Sequence, residues 1–319
     1  MRKVIIKTLI VSLTILILPF ILTLIVKHSS SDAFLETMNY SVYYELDGNK
    51  EAISFDTYLM GVVAATMPVT YHMEALKAQA VIARTYAIYN MSKLSASSPG
   101  KSRFSTSELG LSYLSLEALK SYWGEASYSD NYSKLEKAVY ETKDKVLLYR
   151  NALILPLFFD TGSGYTRNAS EAWGVEIPYL VSVPSKQDVT STNYLTIREY
   201  ELPDLITALT RYYTDITLTT DKFFEEVTVA SRDSAGYVIK MNLGSQTVSG
   251  EEFAKVLNLA SNHFYLEAYD NKARIICNGV GHGIGLSQYG ANAMADENRT
   301  YSDILTYYYT DTVLADLTE

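Results

Sequence analysis

From Val4 to Val26 the chain is almost uninterrupted apolar, broken only by Lys7, Thr8, Ser12, Thr14, Pro19 and Thr23. No other feature restricts the fold as much. A helix apolar all round has to be buried, and about 20 such residues match the hydrocarbon core of a bilayer. Arg2, Lys3 and Lys7 lie before or early in the run, which by the positive-inside bias keeps the N-terminus cytoplasmic and puts everything after Lys27 outside. A cleaved signal peptide would have a shorter apolar region, about 7–15 residues, ending in a small-x-small site. This run is longer and ends in Lys27-His28. The expectation is a cytoplasmic tip and membrane anchor over 1–28, a Ser-rich stalk over 29–44, and one extracytoplasmic domain over 45–319 of a single-pass cell-membrane protein.

Beyond the anchor about 290 residues remain, enough for one sizeable core or two small ones. The apolar share of 48% and charged share of 20% are those of a globular protein. A net charge of −9 disfavours nucleic acid and anionic lipid surfaces, which select basic faces, and argues against simple electrostatic adhesion to an anionic cell wall. The lone Cys277 rules out an intrachain disulfide and a multi-Cys zinc site, and reads as a small buried hydrophobe on a strand. Four scattered histidines make a His-based metal site improbable, so no metal or cofactor is expected. The 27 tyrosines hint weakly at a carbohydrate surface, because a tyrosine face can stack on a sugar ring while its hydroxyl stays wet.

Periodicity predicts an α+β domain of helices and hairpins. Asp56–Ala65 reads as a helix stopped by Pro68. Met73–Met91 is the strongest helix, with Leu76, Ala80, Ala83, Ala87 and Ile88 in one stripe and Lys77 and Arg84 on an adjoining face. Residues 93–107 read as an exposed loop, and Ser133 with Glu136 as the capping box of a short helix. Hairpins are expected at Lys145–Tyr149/Ala152–Phe159, Glu226–Arg232/Tyr237–Leu243 and Phe264–Tyr269/Ala273–Cys277. Ser249 with Glu252 and Thr300 with Asp303 read as further capping boxes, and a helix is expected to begin near Ser287.

Three segments carry chemical information. The first is Gly61-Val62-Val63-Ala64-Ala65-Thr66-Met67-Pro68, followed by Glu74 to Ala80 and Ala83-Arg84-Thr85-Tyr86-Ala87. The second is Asp160-Thr161-Gly162-Ser163-Gly164-Tyr165-Thr166, leading to Glu171-Ala172-Trp173-Gly174 and Ile177 to Leu180. The third is Gly281-His282-Gly283-Ile284-Gly285-Leu286-Ser287-Gln288-Tyr289-Gly290-Ala291. The glycines of the third permit close backbone approach to a ligand, but their spacing fits neither a phosphate loop nor a dinucleotide fold. His282 is open to reading as an acid, a ligand or a structural histidine, and Trp173 beside Glu171 as a sugar platform beside a carboxylate or a core tryptophan.

Together, and in this order, the segments closely resemble the stage II sporulation protein D family, also called the amidase-enhancer family, over roughly residues 45–315. The resemblance implies a lytic transglycosylase, which cuts the glycan strand of peptidoglycan and leaves a cyclic anhydro end. It also implies action during forespore engulfment, beside a peptidoglycan amidase and a multispanning membrane protein. Lys77, Arg84, Glu171, Trp173, His282, Gln288 and Tyr289 match family positions and are the implied substrate-binding residues.

The sequence departs from the family at one decisive place. The family's first motif carries its catalytic glutamate where this chain has Thr66. Glycosidic cleavage needs a carboxyl group to protonate the leaving oxygen, and a threonine hydroxyl is far too weak an acid. Among carboxylates that could substitute, Glu74 and Glu171 match non-catalytic family positions, which leaves Asp160, where the family usually has Ser. The Cys and His with which some relatives hold zinc are absent from 100–130. The resulting expectation is a peptidoglycan-remodelling protein impaired in catalysis. The alternatives are an active lytic transglycosylase with a relocated acid and a non-catalytic receptor or amidase-partner scaffold.

Overall fold

The computed structural model describes residues 40–46 and 49–317. The membrane helix expected over 4–26 lies outside them. Among the described residues no helix is long and apolar enough to cross a membrane, so the expected class, a transmembrane helix followed by one domain, is corrected to a mixed helix–sheet body. Residues at the end of the expected stalk are strand: β1 (Ser41–Leu46) pairs antiparallel with β2 (Asn49–Ile53).

Two hydrophobic cores organise the body. The first is built on helices α1 (Phe55–Thr66), α2 (Met73–Ser97) and α3 (Leu116–Glu141). The predicted stripe of α2 is buried in full, but the helix runs six residues past Met91, because neighbours cover it on nearly every side and burial outweighs the weak propensity of its Ser-rich end. Helix α3 covers the face that carries Lys77 and Arg84. Ser133 lies inside α3 and not at its start. The true N-cap is Ser115, accepting from the Ala118 N–H, and a left-handed Gly124 breaks the helix early. Strand β3 (Arg103–Ser105) pairs with β1.

The predicted hairpin after α3 is present as β4 (Lys145–Tyr149) and β5 (Ala152–Leu153), with Arg150 and Asn151 both at positive φ. Asparagine tolerates that conformation, and the two-residue turn matches strand twist. The second arm is shorter than expected. Its end, β6 (Phe158–Phe159), leaves β5 and pairs instead with a strand near the end of the chain.

After the short helix α4 (Ala169–Trp173), the second core is an inserted lobe. The chain enters at Tyr194 and returns at Gly279, whose N–H donates to the Tyr194 carbonyl at 2.6 Å and closes the neck. Inside are β7 (Leu195–Glu201), α5 (Leu202–Tyr212), α6 (Phe223–Glu226), β8 (Val227–Arg232), β9 (Val238–Leu243), β10 (Gln246–Ser249), α7 (Gly250–Val256), β11 (Phe264–Tyr269) and β12 (Lys272–Asn278). They form two three-stranded sheets, β10-β9-β8 and β11-β12-β7. Both predicted hairpins, β8–β9 and β11–β12, are present, the latter turning through Asp270 and Asn271. Cys277 sits inside β12 with Ala273 and Ile275, and burial pushes its thiol up.

The chain then rejoins the first core through β13 (Leu286–Ser287), α8 (Gln288–Asp296), α9 (Tyr301–Tyr308) and β14 (Val313–Asp316). The capping box at Thr300 and Asp303 is complete, whereas Ser249 caps α7 in one direction only, accepting from the Glu251 and Glu252 N–H groups.

Candidate functional site

Thr66 is the last residue of α1, and the chain turns at Pro68 directly after it. Its hydroxyl donates to the Val62 carbonyl at 2.7 Å, the usual resting place for a threonine in a helix. The same oxygen accepts from Gln79 Nε2 of α2 at 3.1 Å. Gln79 is fully buried, and its Oε1 has no partner among the described residues.

The second and third motifs meet through the short parallel pairing of β6 with β13. Gly285, at φ +83, makes that pairing possible, since any side chain there would collide with the Leu157 carbonyl. The pairing sets Asp160 beside the start of α8, where the Tyr289 N–H donates to the Asp160 carbonyl at 2.9 Å. The Asp160 carboxylate accepts from the Thr161 hydroxyl at 2.5 Å.

Beneath them lies Asp188, fully buried. It accepts from the Gly162 N–H at 2.8 Å and from the Ser287 hydroxyl at 2.7 Å. Burial raises its pKa, against hydrogen bonds from Ser287, Ser185, Gly162 and Gly290 that favour the anion. Ser287 in turn caps α8 by accepting from the Gly290 N–H. Asp188 is therefore the clasp that fixes the Asp160 loop to the helix carrying Tyr289.

Tyr71 links this clasp to the Thr66 turn. Burial, followed by the charges of Asp160, Tyr289 and Asp188, pushes its phenol up to about 12. The next residue, His72, donates its N–H to Asn292 Oδ1 of α8 at 2.7 Å. Thr66, Tyr71, Asp160 and Tyr289 thus belong to one region built from α1, the loop after β6, and α8.

The other predicted site residues are distributed around it. Lys77 Nζ lies 2.7 Å from both Glu74 and Glu141. Burial alone would lower its pKa, but hydrogen bonds to the two carboxylates hold it above its ordinary value. Arg84 is fully buried and donates to the carbonyls of Val139 and Thr142 at the C-terminal end of α3 and of Lys145 at the start of β4. Glu171 accepts from the Ser234 N–H of the inserted lobe at 2.6 Å, while Trp173 is exposed at the end of α4. Gln288 is buried with its Nε2 unpartnered among the described residues.

His282 accepts from the Ile284 N–H through Nδ1 and meets the Phe159 ring edge-on. Burial and the nearby Arg167 guanidinium depress its pKa to about 4. It is therefore neutral at physiological pH and no proton donor. Between about pH 6.5 and 4 the unfolded chain takes up a proton here that the fold refuses. Its contribution to stability is therefore complete above that window and is lost as pH falls through it. In NMR titrations the His282 ring resonances should stay unshifted from pH 8 to 5, and a midpoint near 6.5 would refute this.

Tyr71, Gln79 and Asp188 were not singled out in the sequence. Gln79 left a signal, a polar residue within the alanine face of α2, and Asp188 left none, since nothing local distinguishes a buried aspartate in a loop. Among the described residues no three His, Cys, Asp or Glu side chains are grouped as metal ligands would be.

A family model described as stage II sporulation protein matches residues 48–149. The chain is similar to stage II sporulation protein D of Bacillus amyloliquefaciens, 35% identical over 84% of this chain and 76% of that protein. It is also similar to stage II sporulation protein D of Bacillus subtilis, 33% identical over 86% of this chain and 78% of the relative. A protein of Bacillus subtilis named amidase enhancer is 28% identical over 80% of this chain and 40% of its own length.

Proposed function

Because this chain belongs to the stage II sporulation protein D family, we propose that it serves peptidoglycan remodelling in sporulation, during forespore engulfment, as an extracytoplasmic protein that binds glycan strands and cuts them poorly. The observation that carries this reading is the state of Thr66. The residue at the position of the family's acid is a hydroxyl already engaged with the Val62 carbonyl and Gln79. Such a group holds no proton it can release at neutral pH, so the step that needs a proton on the leaving oxygen lacks its donor. Binding does not depend on that proton, because contacts made to the ground state survive loss of the acid.

The test uses purified strands stripped of peptides. The protein should sediment with them while releasing few anhydro-ended fragments over the same period. Failure to co-sediment would sink the glycan reading. A second reading, in which the protein recruits or stimulates a peptidoglycan amidase, is supported by the relative named amidase enhancer. It predicts that added protein raises the amidase rate without cutting glycan itself.

A further inference from the structure

Beside Tyr289 the surface continues as a row of exposed apolar side chains that neither the core nor the site uses. The Tyr289 hydroxyl lies 3.2 Å from Thr190 Oγ1, at the end of the 3-10 turn Lys186–Thr190. Val189 of that turn is 48% exposed and sits over Gly164, where an added side chain would come within 3.7 Å of its Cγ1. Next is Tyr165, 47% exposed, bridged to Pro184 by backbone hydrogen bonds from Thr166 to Val183 and from Ser185 to Gly164. Tyr307 lies beyond it, 38% exposed, its hydroxyl donating to the Pro184 carbonyl at 2.6 Å and its pKa raised by burial and then by Tyr165.

Both tyrosines are exposed, one with its ring tethered and the other with its backbone fixed. The Tyr307 ring is tethered at its hydroxyl, and the Tyr165 backbone is fixed in a bridge that is itself tied to the buried Ser185–Asp188 turn. A tethered ring, or one on a fixed backbone, loses less entropy when a ligand covers it, and it offers a flat apolar face. That is the chemistry that meets a pyranose, whose C–H face is apolar and whose edge is hydroxylated. The track begins at Tyr289, so an occupant of the candidate site that is long enough would run onto it.

We propose that Val189, Tyr165 and Tyr307 form an additional saccharide subsite, which takes an amino-sugar ring of the same glycan strand beyond the rings held at Thr66 and Tyr289. This rests on the reading of the protein as a glycan binder. It predicts a dependence on ligand length that the reading alone does not.

The experiment compares binding of peptide-free glycan oligomers of two and of six disaccharides by the wild type and by Tyr165→Ala, with Tyr165→Phe as the variant that keeps the ring. Tyr165 is half exposed, and unchanged thermal melting should show that the variants fold. Tyr165→Ala should weaken the long oligomer about 3- to 10-fold, the size of one aromatic contact, and leave the short one unchanged. Tyr165→Phe should retain most of the affinity. Equal weakening of both lengths, or none at either, overturns the subsite while leaving the glycan reading intact. No binding of either length by the wild type overturns both.

Discussion

On the proposed glycan reading, replacing Thr66 by glutamate should raise release of anhydro-ended fragments from peptide-free glycan by about 10²-fold or more. The position suits an acid. Residue 66 closes α1, where the unpaired carbonyls of the last turn disfavour a negative charge and lift a carboxyl pKa toward neutrality. Gln79 Nε2, which now donates to the Thr66 hydroxyl, would instead donate to the carboxyl and hold it in place. Glutamate also extends beyond the backbone carbonyl that captures the threonine hydroxyl. Thr66→Gln has the same shape without the proton and should remain inactive, so a gain in the Glu variant alone would isolate general-acid catalysis. The gain need not be complete, since neighbours that pack around a threonine can leave a carboxylate misplaced by the fraction of an ångström that catalysis notices. Mass spectrometry of the products decides the matter. Vigorous cutting by the wild type, abolished by Asp160→Ala, would show that the acid has moved to the loop after β6 and would overturn the impaired-enzyme reading.

The sequence was most legible where a local rule sets local structure. The turns at Arg150-Asn151 and Asp270-Asn271, the cap at Thr300 and the stripe of α2 each arise from contacts a few residues apart, and each appears where expected. Legibility failed where the decisive neighbour is remote. Ser133 and Glu136 have the spacing of a capping box, yet packing of α3 on α1 and α2 carries the helix straight through them. Phe158 and Phe159 look like the second arm of a hairpin but pair with Leu286 and Ser287, some 130 residues on. Nothing in the sequence of α2 announces that α3 covers its basic face, where Lys77 finds Glu141 and Arg84 finds the carbonyls of Val139 and Thr142. The site shows the same division. Family resemblance pointed to Thr66 and Tyr289, and a departure from it to Asp160, but the Asp188 clasp and Tyr71 depend on four segments meeting in space.

The largest loss of stability should come from Arg167, a residue outside the predicted site. Its guanidinium and the Asp233 carboxylate are both 1% exposed, with Nε 2.6 Å from Oδ2. Nη1 reaches Glu251 at 2.8 Å and the His282 carbonyl at 3.1 Å, and the cation lies 4.9 Å from the centre of the Tyr237 ring. Asp233 also accepts from the Tyr237 N–H, so the pair pins the turn between β8 and β9 of the inserted lobe to the glycine-rich segment of the first core. A buried pair of this kind need add no net stability over an apolar substitute, yet removing one partner alone is costly, because the other charge stays buried. Arg167→Met leaves Asp233 without its cation and should cost about 3–5 kcal/mol. For a body of this size that lowers the melting temperature by roughly 10 °C. The double variant Arg167→Met/Asp233→Leu removes the stranded charge and should recover a large part of the loss, a coupling that a double-mutant cycle measures directly. Arg167 also helps hold the His282 pKa near 4, so in the single variant that midpoint should move upward as the opposing cation disappears. A melting temperature unchanged in Arg167→Met, with the His282 midpoint also unmoved, would mean that the two lobes are held together by something other than this pair.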